Sequence, residues 1–337
     1  MRDLPTAWIR VDANKILGRG HLSRCLALAD MIKEDWSVCF LMQASNQAFC
    51  EPLLADWPVV YFEHDDVLQT LLNPKDLLVV DSYAIDNVWR LKHRELVACL
   101  VDINDIPGKI LGADIIINHC PGLNANQYEV EPDTVLLLGM EYAILRITFL
   151  AYAQTAKLDL AGEGVFICFG GADPYQLGHQ AALSILQAGF EAPVWLVSSA
   201  ESPLLECLLA YTNFHLLHNL SANQMKKYML QSRVLLISAS ILSFEAVALR
   251  KPMLVLYYVD NQALIYKGLV ENGMAAGFGW VECAKELINI ATPFLSLYHS
   301  EESRRQMIKQ LQKGIDGLSS ERIRDRLRSE IKIKTFS

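Results

Sequence analysis

Short β-rich runs that are apolar at nearly every position alternate with stretches of helical period along almost the whole chain. A strand without polar alternation must be covered on both faces, so the pattern predicts parallel sheets with crossover helices packed on either side. The first series of runs covers residues 7–11, 38–42, 59–62, 77–81, 99–102, 114–118 and 135–138. A second series covers 165–169, 194–198, 214–217, 234–238 and 253–257. Between them, residues 146–163, with Gly162 and Gly164 at their end, read as a helix or extended connection. The expected fold is α/β, with two Rossmann-like domains, residues 1–150 and 160–337, each near the usual size of about 100–200 residues. The charge-dense segment 300–337 has helical period and is expected to pack on one domain, assigned here to the second.

The sharpest local signal follows the first run. Gly18-Arg19-Gly20-His21 stands between strand 7–11 and a segment with apolar residues at Leu22, Cys25, Leu26 and Ala29, the face of a helix lying on a sheet. Two glycines let backbone N–H groups approach a ligand, which places His21 at the mouth of a cleft, where a base would work. The plain alternative is a polar residue at a helix N-terminus with no chemistry. A nicotinamide-binding turn would need a third glycine where Ser23 stands, and an acidic residue ending strand 38–42; the chain has neither.

Composition removes several classes. A formal net charge of −8 and a pI of 5.5 leave no basic footprint for nucleic acid. There is no window of about 18 uncharged apolar residues, and Met1-Arg2-Asp3-Leu4-Pro5 lacks the apolar core of a signal peptide. A cytoplasmic protein with no membrane partner is expected. Cys25, Cys39, Cys50, Cys99, Cys120, Cys168, Cys207 and Cys283 lie mostly in apolar runs without a C-x-x-C pair, and read as reduced thiols that pack as small hydrophobes. His215 and His218 lack the helix or neighbouring cysteine pair that would make them ligands. Neither a metal site nor a cofactor is expected.

In open α/β sheets, ligands bind beyond the carboxyl ends of the strands. In the first half those ends carry Arg10, Asp12, the run Asp81-Ser82-Tyr83, Asn104-Asp105 and Asn118; each alone serves equally well as a cap or turn residue. In the second half, strand 165–169 runs into Gly170-Gly171-Ala172-Asp173-Pro174, a turn suited to a diphosphate. Ser238-Ala239-Ser240 leads to Glu245, a carboxylate that can accept both hydroxyls of a ribose or simply complement a helix dipole.

These residues carry a family resemblance. The glycine turn continuing as Leu22-Ser23-Arg24-Cys25, the Val79-Val80-Asp81-Ser82-Tyr83 run, Ala113-Asp114 leading to Asn118, and Leu138-Gly139 through Arg146 resemble the UDP-sugar hydrolases of pseudaminic acid biosynthesis. So do Phe169-Gly170-Gly171-Ala172-Asp173, Ile237-Ser238-Ala239-Ser240 to Glu245, and Asp260-Asn261-Gln262, in the family's order. The resemblance implies a GT-B architecture, two Rossmann-like domains facing across a cleft, similar to the glycosyltransferase that adds N-acetylglucosamine to the peptidoglycan lipid precursor. It implies metal-independent release of UDP from a 2,4-diacetamido-2,4,6-trideoxy-L-altrose nucleotide by attack of water at the anomeric carbon. Carried over by position, His21 is the general base and Tyr83 the second active-site residue. Arg10, Asp12, Gly20 and Asn118 are expected to bind substrate. Gly170, Gly171, Ser238 and Ser240 would line the nucleotide pocket, Glu245 would hold the ribose, and Asn261 and Gln262 would face the sugar or diphosphate. The absence of an Asp-x-Asp pair agrees with a route that needs no metal.

Two positions depart from the family pattern. Ser82 stands where a histidine is frequent, and Asn104 replaces the first of two paired aspartates, which bears on the identity of the sugar more than on the type of reaction. Two other readings share the nucleotide pocket: a GT-B glycosyltransferase, whose base would deprotonate an acceptor hydroxyl, and a nucleotide-sugar-binding module that performs no catalysis.

Overall fold

The structure, a computed structural model, describes residues 4–13, 20–157, 160–170, 173 and 175–336. Gly18, Arg19 and Gly171 of the two glycine turns lie outside the described residues. The chain forms two compact units, residues 1–147 with 318–337, and residues 148–317.

The first unit is built on a parallel sheet of seven strands: β1 (Thr6–Val11), β2 (Ser37–Gln43), β3 (Val59–Phe62), β4 (Leu77–Asp81), β5 (Cys99–Ile103), β6 (Ile115–Asn118) and β7 (Val135–Leu138). Their order is β3-β2-β1-β4-β5-β6-β7. Every residue of β4, β5 and β6 is buried, as continuous apolar runs require when helices cover both faces. The order reverses between β1 and β4, which pair in register from Ala7 opposite Leu77 to Val11 opposite Asp81. At such a switch point the connections leave in opposite directions and open a crevice at the carboxyl ends of the strands.

The second unit repeats the plan with six parallel strands: β8 (Val165–Cys168), β9 (Val194–Val197), β10 (Phe214–Leu217), β11 (Val234–Ser238), β12 (Met253–Tyr257) and β13 (Ala276–Trp280). The order β10-β9-β8-β11-β12-β13 puts the reversal between β8 and β11, with Cys168 opposite Ile237. Strand β13 has no counterpart among the sequence expectations. Its residues, Ala-Gly-Phe-Gly-Trp, carry two glycines and form a partly exposed edge, so neither composition nor periodicity marks them.

The assignment of residues 160–337 to the second domain is corrected at its end. Segment 300–337 forms two helices, Glu301–Leu311 and Ser319–Phe336, and only the first belongs to the second unit. The second helix returns to the first unit. Ile323 and Leu327 are fully buried there, Ser319 Oγ donates to the Ala143 carbonyl at 2.7 Å, and Arg328 grips Asp35 with contacts of 2.6 and 2.8 Å. Periodicity shows which face of a helix is apolar but not which core receives it. Among the described residues no helix is long and apolar enough to cross a membrane.

Because Ile323 is wholly buried, Ile323→Ala is expected to destabilise the protein by about 2–4 kcal/mol. Amide exchange should locate the loss in residues 4–147. Loss of protection confined to residues 148–317 would contradict the placement of the helix.

Candidate active site

In the first unit the chain leaves β1 at Asp12 and re-enters regular structure at the helix Gly20–Ile32. Leu22, Cys25, Ala29 and Ile32 bury its apolar face, and this fixes the rotation of the helix. His21 and Arg24, one turn apart, then share the side that faces the end of β4. Between them lies the Asp81 carboxylate, 0% exposed. His21 Nδ1 donates to Asp81 Oδ1 in a short contact, and Arg24 makes a two-point contact, Nε to Oδ2 at 2.9 Å and Nη2 to Oδ1 at 2.8 Å.

A carboxylate in so dry a place is costly unless paired. Burial would push its pKa up, but Arg24 and then His21 reverse this and hold Asp81 below the usual carboxylate range. An ionised Asp81 can only accept, so Nδ1 of His21 carries a proton and Nε2 keeps its lone pair. For His21 the largest single influence is burial, which lowers the pKa. The charge and hydrogen bond of Asp81 together outweigh it, and the net value lies above that of an ordinary imidazole. Such an imidazole can act as a general base: it is oriented by a carboxylate through one nitrogen, basic at the other, and placed at a helix start beside the switch point.

Around this pair the other strand ends converge. Tyr83, 44% exposed, sets its ring edge-on to His21 with centroids 4.7 Å apart, and its hydroxyl donates to Asp105 Oδ2 at 2.8 Å. Arg10 Nη1 donates to Asp12 Oδ1 at 2.5 Å, and Ser82 Oγ donates to the other oxygen of Asp12 in a short contact, so Asp12 ties the end of β1 to the end of β4. Gly20 opens the helix, and a Cβ added there would meet nothing within 4 Å. Asn118 is engaged internally: its Nδ2 donates to the Tyr128 hydroxyl at 3.0 Å and its Oδ1 accepts the Cys120 N–H at 3.0 Å. That clasp holds the turn bearing His119, whose pKa burial and the nearby Arg24 charge press down to about 4.

The site therefore includes Arg24, Asp81, Asp105 and His119, to which sequence reasoning gave no role. Arg24 had a usable signal, its position one helical turn after His21. Asp81 and Asp105 stood among the strand-end polar residues without anything to link them. His119 had no signal beyond its place after Asn118.

The second unit has its own polar edge. Gly170 follows β8 at φ 102°, a conformation that side chains disfavour, and a Cβ there would approach the Tyr258 hydroxyl to 3.2 Å. That hydroxyl donates to the Phe169 carbonyl, and burial raises the Tyr258 pKa to about 12. Asp173 accepts the N–H groups of Leu177 and Gly178 at 2.9 and 2.8 Å and so caps the helix Leu177–Gln187. Beyond β11, Ser238 and Ser240 bring their hydroxyls within 3.1 Å, and the helix Ile241–Ala248 carries Glu245, 3% exposed. In the turn Asp260–Gln262, Asn261 is half-buried, while Gln262 accepts the Tyr258 N–H at 3.2 Å. Among the described residues no group of three or more His, Cys, Asp or Glu is arranged to hold a metal ion.

No protein-family model matches the chain. Among characterised proteins, it is 27% identical over 278 residues to the UDP-2,4-diacetamido-2,4,6-trideoxy-beta-L-altropyranose hydrolase of Campylobacter jejuni, covering 78% of this chain and 96% of that protein. It is 25% identical over 277 residues to the spore coat polysaccharide biosynthesis protein SpsG of Bacillus subtilis, covering 78% and 80% of the two chains. The fold is similar to that of Acinetobacter baumannii MurG, with a TM-score of 0.62 at 13% identity, covering 96% of this chain and all of that one. The chain has a GT-B fold and is similar in sequence to that hydrolase. Its two parallel sheets, of seven and six strands, are the two Rossmann-like domains of that fold.

The carboxylate behind His21 can be tested without any ligand. In an NMR titration His21 is expected to have a midpoint above about 6.5, the ordinary imidazole value, and Asp81→Asn should lower it. Because the folded-state value is raised, protonation of His21 favours the fold at low pH, a contribution lost as pH rises through the folded midpoint. A midpoint unmoved by Asp81→Asn would remove Asp81 as the cause.

Proposed function

We propose that this protein is a nucleotide-sugar hydrolase, releasing UDP from UDP-2,4-diacetamido-2,4,6-trideoxy-β-L-altrose in pseudaminic acid biosynthesis. The observation that carries the reading is the His21–Asp81 pair at the first unit's switch point, since attack by water at neutral pH needs one oriented base. The name of the Campylobacter relative, which this chain matches over 96% of that protein's length, supports the choice of nucleotide and sugar.

In the reaction His21 Nε2 takes a proton from water as the water oxygen bonds to the anomeric carbon. The bond from that carbon to the β-phosphate oxygen breaks, its electron pair leaves with UDP, and the anomeric centre inverts. Asp81 stabilises the imidazolium that forms. Tyr83 meets the sugar beside the base together with Arg10, Asp12 and Gly20, while Asn118, its amide spent on Tyr128 and Cys120, supports the turn after β6. The second unit binds the nucleotide. Gly170 and Gly171 bring N–H groups to the diphosphate, Ser238 and Ser240 add hydroxyls, Asn261 and Gln262 complete the phosphate or sugar contacts, and Glu245 takes the ribose hydroxyls. UDP is a good leaving group, so these donors suffice without a metal. Ser82 is occupied with Asp12 in a short hydrogen bond, so its departure from the family pattern leaves the base in place.

The test is UDP release from the UDP-linked sugar with no acceptor present. His21→Asn is expected to lower turnover by about 10²- to 10⁴-fold, with UDP affinity nearly unchanged. Turnover that stays within a few-fold of wild type would remove His21 as the base. Release that occurs only when an acceptor sugar is added would make the protein a glycosyltransferase.

A further inference from the structure

Arg24 does not serve Asp81 alone. Its outer edge makes a second two-point contact, Nη1 to Asp105 Oδ1 at 2.5 Å and Nη2 to Asp105 Oδ2 at 3.1 Å. One guanidinium thus bridges two carboxylates, and the second of them also accepts the Tyr83 hydroxyl. We propose that Asp105 is a positioning residue for the reaction: through Arg24 it strengthens His21 as a base, and through the Tyr83 hydroxyl it locks that ring against the imidazole. The inference rests on the reading of His21 as the base.

Charge counting supplies the reason. With His21 neutral, Arg24 and the two aspartates form a buried group of net charge −1; a proton on His21 brings it to zero. Taking a proton from water therefore relieves an unbalanced charge in a dry place, where such imbalance is most costly. Asp105 is a dependable part of that balance: burial pushes its pKa up, but Arg24 prevails and keeps it below the ordinary value. The other ionisable groups near the cluster do not offset it. His119 is held neutral down to about pH 4, and Cys25, whose Sγ donates to Asp81 at 3.5 Å, is pushed far up by burial. Asp102, on β5, pairs with Arg90 at 2.6 Å and has a pKa raised by burial to about 6.

The experiment is an NMR titration of the ligand-free protein, with the His21 signal assigned by its loss in His21→Asn, followed by the pH profile of UDP release. Asp105→Asn removes a charge that favours the imidazolium and leaves Arg24 less neutralised; both effects act in the same direction. The His21 midpoint should fall by about half a unit or more. The acid limb of kcat/KM should move down with it, and kcat should drop by about tenfold. Asp105→Glu should recover part of both. A midpoint that Asp105→Asn leaves unmoved would overturn the proposal, whether or not the protein hydrolyses the sugar nucleotide. A shifted midpoint in a protein that releases no UDP would uphold the electrostatic link and reject the hydrolase reading alone.

Discussion

One buried carboxylate organises the first unit's site. Asp81 ends a strand in which every residue is buried, where an uncompensated charge would destabilise the fold by several kcal/mol. Arg24 and His21 supply the compensation, and both come from the first two turns of a single helix. The same contacts that let the strand end in an aspartate thus deliver an oriented imidazole to the crevice. Stability and the state of His21 are coupled here, because removing the carboxylate that orients the imidazole also leaves Arg24 with less to neutralise it.

Much of the fold was legible in the chain. Among the described residues, twelve of the thirteen strands coincide with apolar runs to within about a residue at their ends. A fully buried parallel strand is built mostly from apolar residues, so the signal is strong. β13 escaped because an edge strand with two glycines needs neither a continuous apolar run nor β-branched residues. The return of the last helix to the first unit escaped for another reason. Ile323 and Leu327 show that the helix has a buried face, but only the tertiary structure says that the face meets the core beneath Ala143 and Met31.

The site was legible to the extent that chemistry follows from position on a sheet. His21, Tyr83, Asp12 and Asn118 are all found at carboxyl ends of first-unit strands or just beyond them. What the sequence could not reveal was connectivity: that Asp81 and Asp105, more than twenty residues apart in the chain, share one arginine, or that the Asn118 amide is spent on Tyr128 and Cys120. Such links arise from strand order, which brings β1, β4 and β5 side by side. The second unit repeats the logic with a different outcome. Its switch point presents a positive-φ glycine and a pair of serine hydroxyls.

The most direct measurement is hydrolysis of the UDP-linked sugar in ¹⁸O-enriched water, with the isotope located by mass spectrometry. If the His21–Asp81 pair activates water against the anomeric carbon, one ¹⁸O appears in the released sugar and none in UDP. Label in UDP would mean attack at phosphorus, and would contradict the account.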